Sequence, residues 1–181
     1  PDAQESRGLG DVYKRQVQAQ CLIDGAMNRG ALGIAAEALG LSQRMVDMTV
    51  SYTSDRQQFG KPIGSFQAVK HLMANVAVKL EFAKTPVYKA AYAVTEQLSS
   101  ANVNVSHAKL PATEVAQSAA RNTMQCHGAM GYTWEVDLQI FMKKAWVYNN
   151  AWGVVAWHQG RVSDFVFADK AAIGAGSTFV A

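Results

Sequence analysis

Arg56 is followed at once by Gln57-Gln58-Phe59-Gly60-Lys61-Pro62-Ile63-Gly64-Ser65-Phe66-Gln67. A permanently charged, planar guanidinium beside glycines is suited to holding phosphate oxygens, because the charge pairs bidentately and the bare backbone lets the ligand come close. A second segment, Gln125-Cys126-His127-Gly128-Ala129-Met130-Gly131-Tyr132, repeats the arrangement with a side-chain amide in place of the cation. Taken alone, Arg56 reads as a solvated or salt-bridged loop arginine, and the 128–131 stretch as a plain helix-ending turn. Together they point to a nucleotide phosphate held between helices.

The elements that must position these residues are helical. Ile34, Ala38, Leu41, Met45, Met48 and Tyr52 recur at intervals of three and four and define a first helix that stops at Ser54-Asp55, before Gly60 and Pro62. A second helix is expected from Ser65 as N-cap, with the stripe Phe66, Val69, Met73, Val76, Leu80, Ala83, Val87, Ala91 and Val94 running in phase across Pro86, which should bend it. Residues 99–107 read as a polar connection, and Pro111 then opens a third helix whose Ala112, Ala116, Ala119 and Ala120 permit close packing. A fourth begins near Trp134-Glu135 and carries Leu138, Phe141, Met142, Ala145 and Tyr148 toward Trp157. No strand pattern of weight is present, so the fold class is all-α, an antiparallel bundle of about four long helices over residues 17–165.

Composition narrows the function. The 181 residues are 49% hydrophobic, enough for one domain, and the net charge of +3 includes no basic block longer than Lys143-Lys144, which disfavours nucleic acid as a partner. Cys21 and Cys126 make no disulfide framework and suit a reducing, cytoplasmic setting. No apolar run reaches the ~20 residues that span a bilayer. His71 and His127 lack ligand-spaced partners, so no metal site is expected. The four tryptophans, Trp134, Trp146, Trp152 and Trp157, crowd the last helix and read as core or subunit-interface packing.

Residues 1–16 are polar and without period, and 7–16 resemble a translated sequencing adapter. They are expected to be a non-native or disordered leader, with natural sequence missing before Val17. Residues 166–181 are expected to form an irregular tail.

The two glycine segments, taken with the helices around them, resemble the C-terminal helical domain of the acyl-CoA dehydrogenase family over roughly residues 28–162. The resemblance implies FAD as cofactor, an acyl-CoA thioester as substrate, an electron-transfer acceptor, and a homo- or hetero-oligomer in which one subunit completes another's flavin site. It places Arg56 on the FAD pyrophosphate, Phe59 near the adenosine and Gln67 as a donor from the second helix. Gln125, Gly128, Ala129 and Gly131 would face the adenine and phosphates. Position 129 is usually glycine in the family, and alanine there would cost about 1 kcal/mol if the backbone requires positive φ.

The family's reaction removes a proton from the α-carbon while a hydride leaves the β-carbon for flavin, and it requires a carboxylate base. In this sequence the commoner base position falls on Trp152, and the rarer one, on the first helix, falls on Gly30; the neighbouring arginine position is Ala31, with Arg29 close by. No residue is assigned as catalytic. Glu37, Glu135 and Asp137 are the nearest carboxylates, and none fits the role. Some bacterial members are heteromeric, with one subunit supplying the base. Trp134-Glu135-Val136-Asp137-Leu138 resembles that subgroup, which includes enzymes acting on steroid side chains. A non-catalytic partner subunit is therefore the alternative reading.

Overall fold

The structure, a computed structural model, describes the backbone of residues 2–168 and Gly174, and the side chains of residues 14–168 and Gly174. Among these lie five helices, α1 (Asp2–Asp55), α2 (Gln67–Thr95), α3 (Ala101–His127), α4 (Leu138–Asn150) and α5 (Val155–Val166). A hairpin of β1 (Gln57–Gln58) and β2 (Lys61–Pro62) joins α1 to α2, and 3₁₀ turns occupy Ile63–Ser65 and Gly128–Tyr132. The all-α bundle read from periodicity is the fold observed.

Cross-helix contacts fix the directions. Asn28 bonds Asn102, Met45 meets Thr123, and Tyr52 stacks on His127, so α1 and α3 run side by side in the same sense. Helix α2 runs against them, with Lys79 paired to Glu114 and Asn122 reaching the Leu72 carbonyl. Helix α4 returns along α3, where the Gln117 amide donates to the Ala145 carbonyl. The result is an up-down-up-down bundle.

Small residues set its tightness. Ala112, Ala116, Ala119 and Ala120 of α3 are fully buried against Ala35, Ala38 and Met45 of α1 and Val76, Leu80 and Ala83 of α2. Ser42, Thr49 and Thr53 are tolerated on the buried side of α1 because each hydroxyl donates to the carbonyl one turn back, and among the described residues no buried side-chain nitrogen or oxygen lacks a partner.

Several element boundaries differ from the sequence reading. Helix α1 extends back through residues 2–16. Ser65 does not cap α2: Phe66 is the N-cap, in extended conformation, while the Ser65 hydroxyl bonds Pro62. Helix α2 does pass unbroken through Pro86; beyond it Ala90 and Ala93 are buried, Ala91 is half-buried, and Val94 packs half-buried against the core. Helix α3 begins at Ala101, so most of the expected connection is helical and Pro111 lies inside the helix, not in its first turn. The polar residues that suggested a loop have partners there, Asn102 on Asn28 and Ser106 on His158. The expected fourth helix is two helices, broken at residues 151–154 where Trp152 and Gly153 take φ of 56° and 99°. The first part of the expected tail is the end of α5 and the turn after it; the rest, save Gly174, lies outside the described residues.

Candidate functional site

Arg56 follows the last residue of α1. Its N–H bonds the Tyr52 carbonyl at 2.9 Å and its own carbonyl accepts from Ile63 at 2.8 Å, which pins the residue at the base of the hairpin. The strands pair Gln57 with Pro62 and Gln58 with Lys61, leaving Phe59 and Gly60 as a two-residue turn. Both have positive φ, 54° and 75°, as the hairpin twist requires. Phe59 projects into solvent, 91% exposed, with its ring edge-on to Phe66. The Arg56 guanidinium is exposed, and among the described residues no carboxylate forms an ion pair with it. Gln67, the first residue of α2, is exposed too.

The second segment ends α3 at the same end of the bundle. The Tyr52 and His127 rings stack with centroids 4.3 Å apart and planes 17° from parallel, tying the turn before Arg56 to the turn after Gln125. His127 is buried, and its Nδ1 donates to the Thr123 carbonyl at 2.8 Å; burial, partly offset by that bond, lowers its pKa and keeps it neutral. It is thus an internal packing group. Gln125 and Ala129 are exposed. Gly128 caps the helix with φ of 59°, a conformation that favours glycine, whereas Ala129 is not among the positive-φ residues and so is unstrained. Gly131 is buried, and a Cβ on it would come within 2.7 Å of Met124 Sδ, so its missing side chain serves packing behind the loop. The structure therefore brings Arg56, Phe59, Gln67, Gln125, Gly128 and Ala129 to one end of the bundle, on exposed helix ends and the turns beside them, with Gly131 beneath.

Trp152 and Gly30 are in direct contact. A Cβ built on Gly30 would fall 2.1 Å from Trp152 Cδ2 and 2.5 Å from Cε2 and Cε3, so the fused edge of the indole lies on the bare face of α1. Beneath the 151–154 turn is a polar cluster. Lys109 of α3, 2% exposed, donates through Nζ to the carbonyls of Ala151 and Gly153. Burial depresses its pKa to about 8. His158 of α5, 1% exposed, donates from Nε2 to the Trp152 carbonyl and accepts at Nδ1 from the Ser106 hydroxyl, each at 3.0 Å. Its pKa falls to about 4, chiefly through burial, so the ring is neutral. Gly153 admits no side chain, because a Cβ would meet Trp157 at 2.7 Å and His158 Nε2 at 2.8 Å.

The family model for the C-terminal domain of acyl-CoA dehydrogenases matches residues 22–163. The chain belongs to the acyl-CoA dehydrogenase family. It is 36% identical over 140 residues to acyl-CoA dehydrogenase IpdE2 of Mycobacterium tuberculosis, covering 77% of this chain and 42% of that protein. Among solved structures, butyryl-CoA dehydrogenase from Megasphaera elsdenii aligns with a TM-score of 0.77 at 27% identity, over 81% of this chain and 38% of that one. The ChsE4-ChsE5 complex from Mycobacterium tuberculosis aligns with a TM-score of 0.73 at 26% identity, over 79% and 39%. The chain thus spans well under half the length of these dehydrogenases.

Of the three carboxylates weighed as a base, one is engaged and two are solvent-exposed. Glu37 accepts from the Tyr148 hydroxyl and lies 3.7 Å from Lys144 Nζ, so it serves the α1–α4 contact. Glu135 and Asp137 are exposed before α4. Among the described residues no group of His, Cys, Asp and Glu could hold a metal ion, and no helix is long and apolar enough to cross a membrane. The tryptophans are not in the core: Trp134 is 82% exposed under Lys143, and even Trp157, against His158 and Arg161, is 38% exposed. Sequence reasoning missed Lys109, Ser106 and His158. The available signal was Lys109 falling in phase with Val105, Ala112 and Ala116, which puts a cation on the buried stripe.

Proposed function

We propose that this domain completes the FAD site of an acyl-CoA dehydrogenase assembly without supplying the base for α,β-dehydrogenation. The observation that carries the reading is the Trp152 indole seated on Gly30, since both positions where the family places its carboxylate are then filled by groups that take no proton. A positioned base is worth ~10²–10⁴ in rate, and an indole cannot stand in for it. This favours the non-catalytic partner subunit over a domain acting by itself, and the likeness to a solved two-protein complex supports a heteromeric assembly.

The residues present fit the cofactor. An exposed, unpaired guanidinium at Arg56, an exposed amide at Gln125 and the open Gly128 turn stand at one end of the bundle, as a dinucleotide diphosphate brought by a neighbouring subunit would need. In that role Arg56 pairs with the diphosphate, Gln125 and the amides of Gly128 and Ala129 bind toward the adenine, and Phe59 packs beside it. FAD supplies the ring that accepts hydride from the acyl-CoA and passes electrons to an electron-transfer acceptor. The free thiols Cys21 and Cys126 accord with a cytoplasmic setting.

The reading is tested by co-expressing the chain with a family member that retains a carboxylate base and measuring FAD per purified complex. Arg56→Ala is expected to lower flavin retention at least about tenfold, the loss of one charge-assisted bidentate contact. Unchanged flavin content would remove Arg56 from the site.

A further inference from the structure

The 151–154 turn is held from below by buried groups that the proposed flavin site does not use. Lys109 reaches it from α3 and gives its protons to the carbonyls of Ala151 and Gly153, while His158 takes the intervening Trp152 carbonyl. Three successive carbonyls thus point inward onto two side chains from two helices. That pattern forces Trp152, a non-glycine residue, into φ of 56° and turns its side chain outward onto Gly30. Left-handed backbone at a tryptophan costs about 1–2 kcal/mol, so the conformation persists only where the surroundings impose it.

We propose that Lys109 is a positioning residue whose ammonium latches the 151–154 turn and so seats the Trp152 indole on Gly30, closing this chain's own copy of the α-carbon position. The closure rests on the reading given under Proposed function; the latch itself rests on the geometry alone. A lysine fits the task because one ammonium carries three donors and serves two carbonyls at once, which an apolar side chain of similar length cannot do.

Chymotrypsin reads the open population directly. Cleavage after Trp152 requires the turn to leave its seat, while cleavage after Phe167, 84% exposed beyond α5, reports the protease's own activity. Mass spectrometry gives the ratio of the two cuts on the full 181-residue chain. Lys109→Met is expected to raise the Trp152 to Phe167 ratio by about tenfold or more, with helical circular dichroism unchanged. An unchanged ratio in that folded variant would overturn the latch. Should the variant fail to fold, the natural chain decides: in a brief acetic anhydride treatment read by mass spectrometry, latched Lys109 should be labelled at least about tenfold more slowly than exposed Lys70, and labelling at the Lys70 rate overturns the proposal. A confirmed latch with no flavin bound by the co-expressed complex would remove the closure's meaning while leaving the latch; a flavin-bearing complex with a ratio unchanged by Lys109→Met would remove the latch alone.

Discussion

Replacing Gly30 by alanine puts a Cβ within 2.1 Å of the Trp152 ring, where no real Cβ sits, so the indole or the α1 backbone must move. Gly→Ala in a helix interior is ordinarily stabilising by about 0.5–1 kcal/mol. Here that gain is opposed by an overpacking cost of about 1–3 kcal/mol, giving a net loss of up to about 2 kcal/mol. Removing the ring first reverses the sign. In a Trp152→Ala background the same substitution meets open space and should stabilise by about 0.5–1 kcal/mol, so the coupling between the two sites is about 1–3 kcal/mol. Trp152→Ala alone should cost about 1–3 kcal/mol, less than a fully buried aromatic, because the side chain is 47% exposed. Urea denaturation of the natural chain, the two single variants and the double variant, followed by far-ultraviolet circular dichroism, gives all four corners. Gly30→Ala stabilising the natural chain as much as it stabilises Trp152→Ala would mean that the indole does not rest on Gly30, and the argument for a filled base position would fall with it.

Burial of neutral His158 makes the fold sensitive to acid. Its pKa is about 4 in the folded chain against 6.5 when solvated, so its contribution is whole above pH 6.5 and is lost as the pH falls through 4; the 2.5-unit gap corresponds to about 3 kcal/mol. Urea midpoints at pH 7 and pH 4.5 should differ accordingly, and His158→Gln should flatten much of that difference. Arg56→Ala, by contrast, should leave the urea midpoint of the isolated chain unchanged within about 0.5 kcal/mol, because the side chain is exposed and unpaired.

The stripes of α1 and α2, and the alanines of α3, were legible because burial follows the 3.6 period and these segments carry few polar residues on the inner face. Arg56 was legible as a connecting residue, and Gln125 as lying at a helix end, because glycine and proline mark where the helices stop. The beginning of α3 was not, since Asn102, Ser106 and Lys109 look like solvent-facing residues until their partners on α1 and α5 are known, and those partners lie far away in sequence. The break at residues 151–154 was hidden for the same reason. Nothing local to Trp152 favours a left-handed backbone; the conformation is imposed by Lys109 and His158. The contact of Trp152 with Gly30 joins two positions that the family resemblance picked out separately, and only the packing of α4 and α5 back onto α1 and α3 brings them together.

The central claim, that this domain serves a flavin site without providing the base, is tested most directly by acyl-CoA turnover in a co-purified complex with a base-bearing family member, after Glu37→Gln, Glu135→Gln and Asp137→Asn are combined in this chain. The account predicts turnover within about twofold of the unsubstituted complex, since the two base positions hold Trp152 and Gly30 and a true base is worth ~10²–10⁴. A loss of about a hundredfold or more, with the complex and its flavin intact, would contradict it.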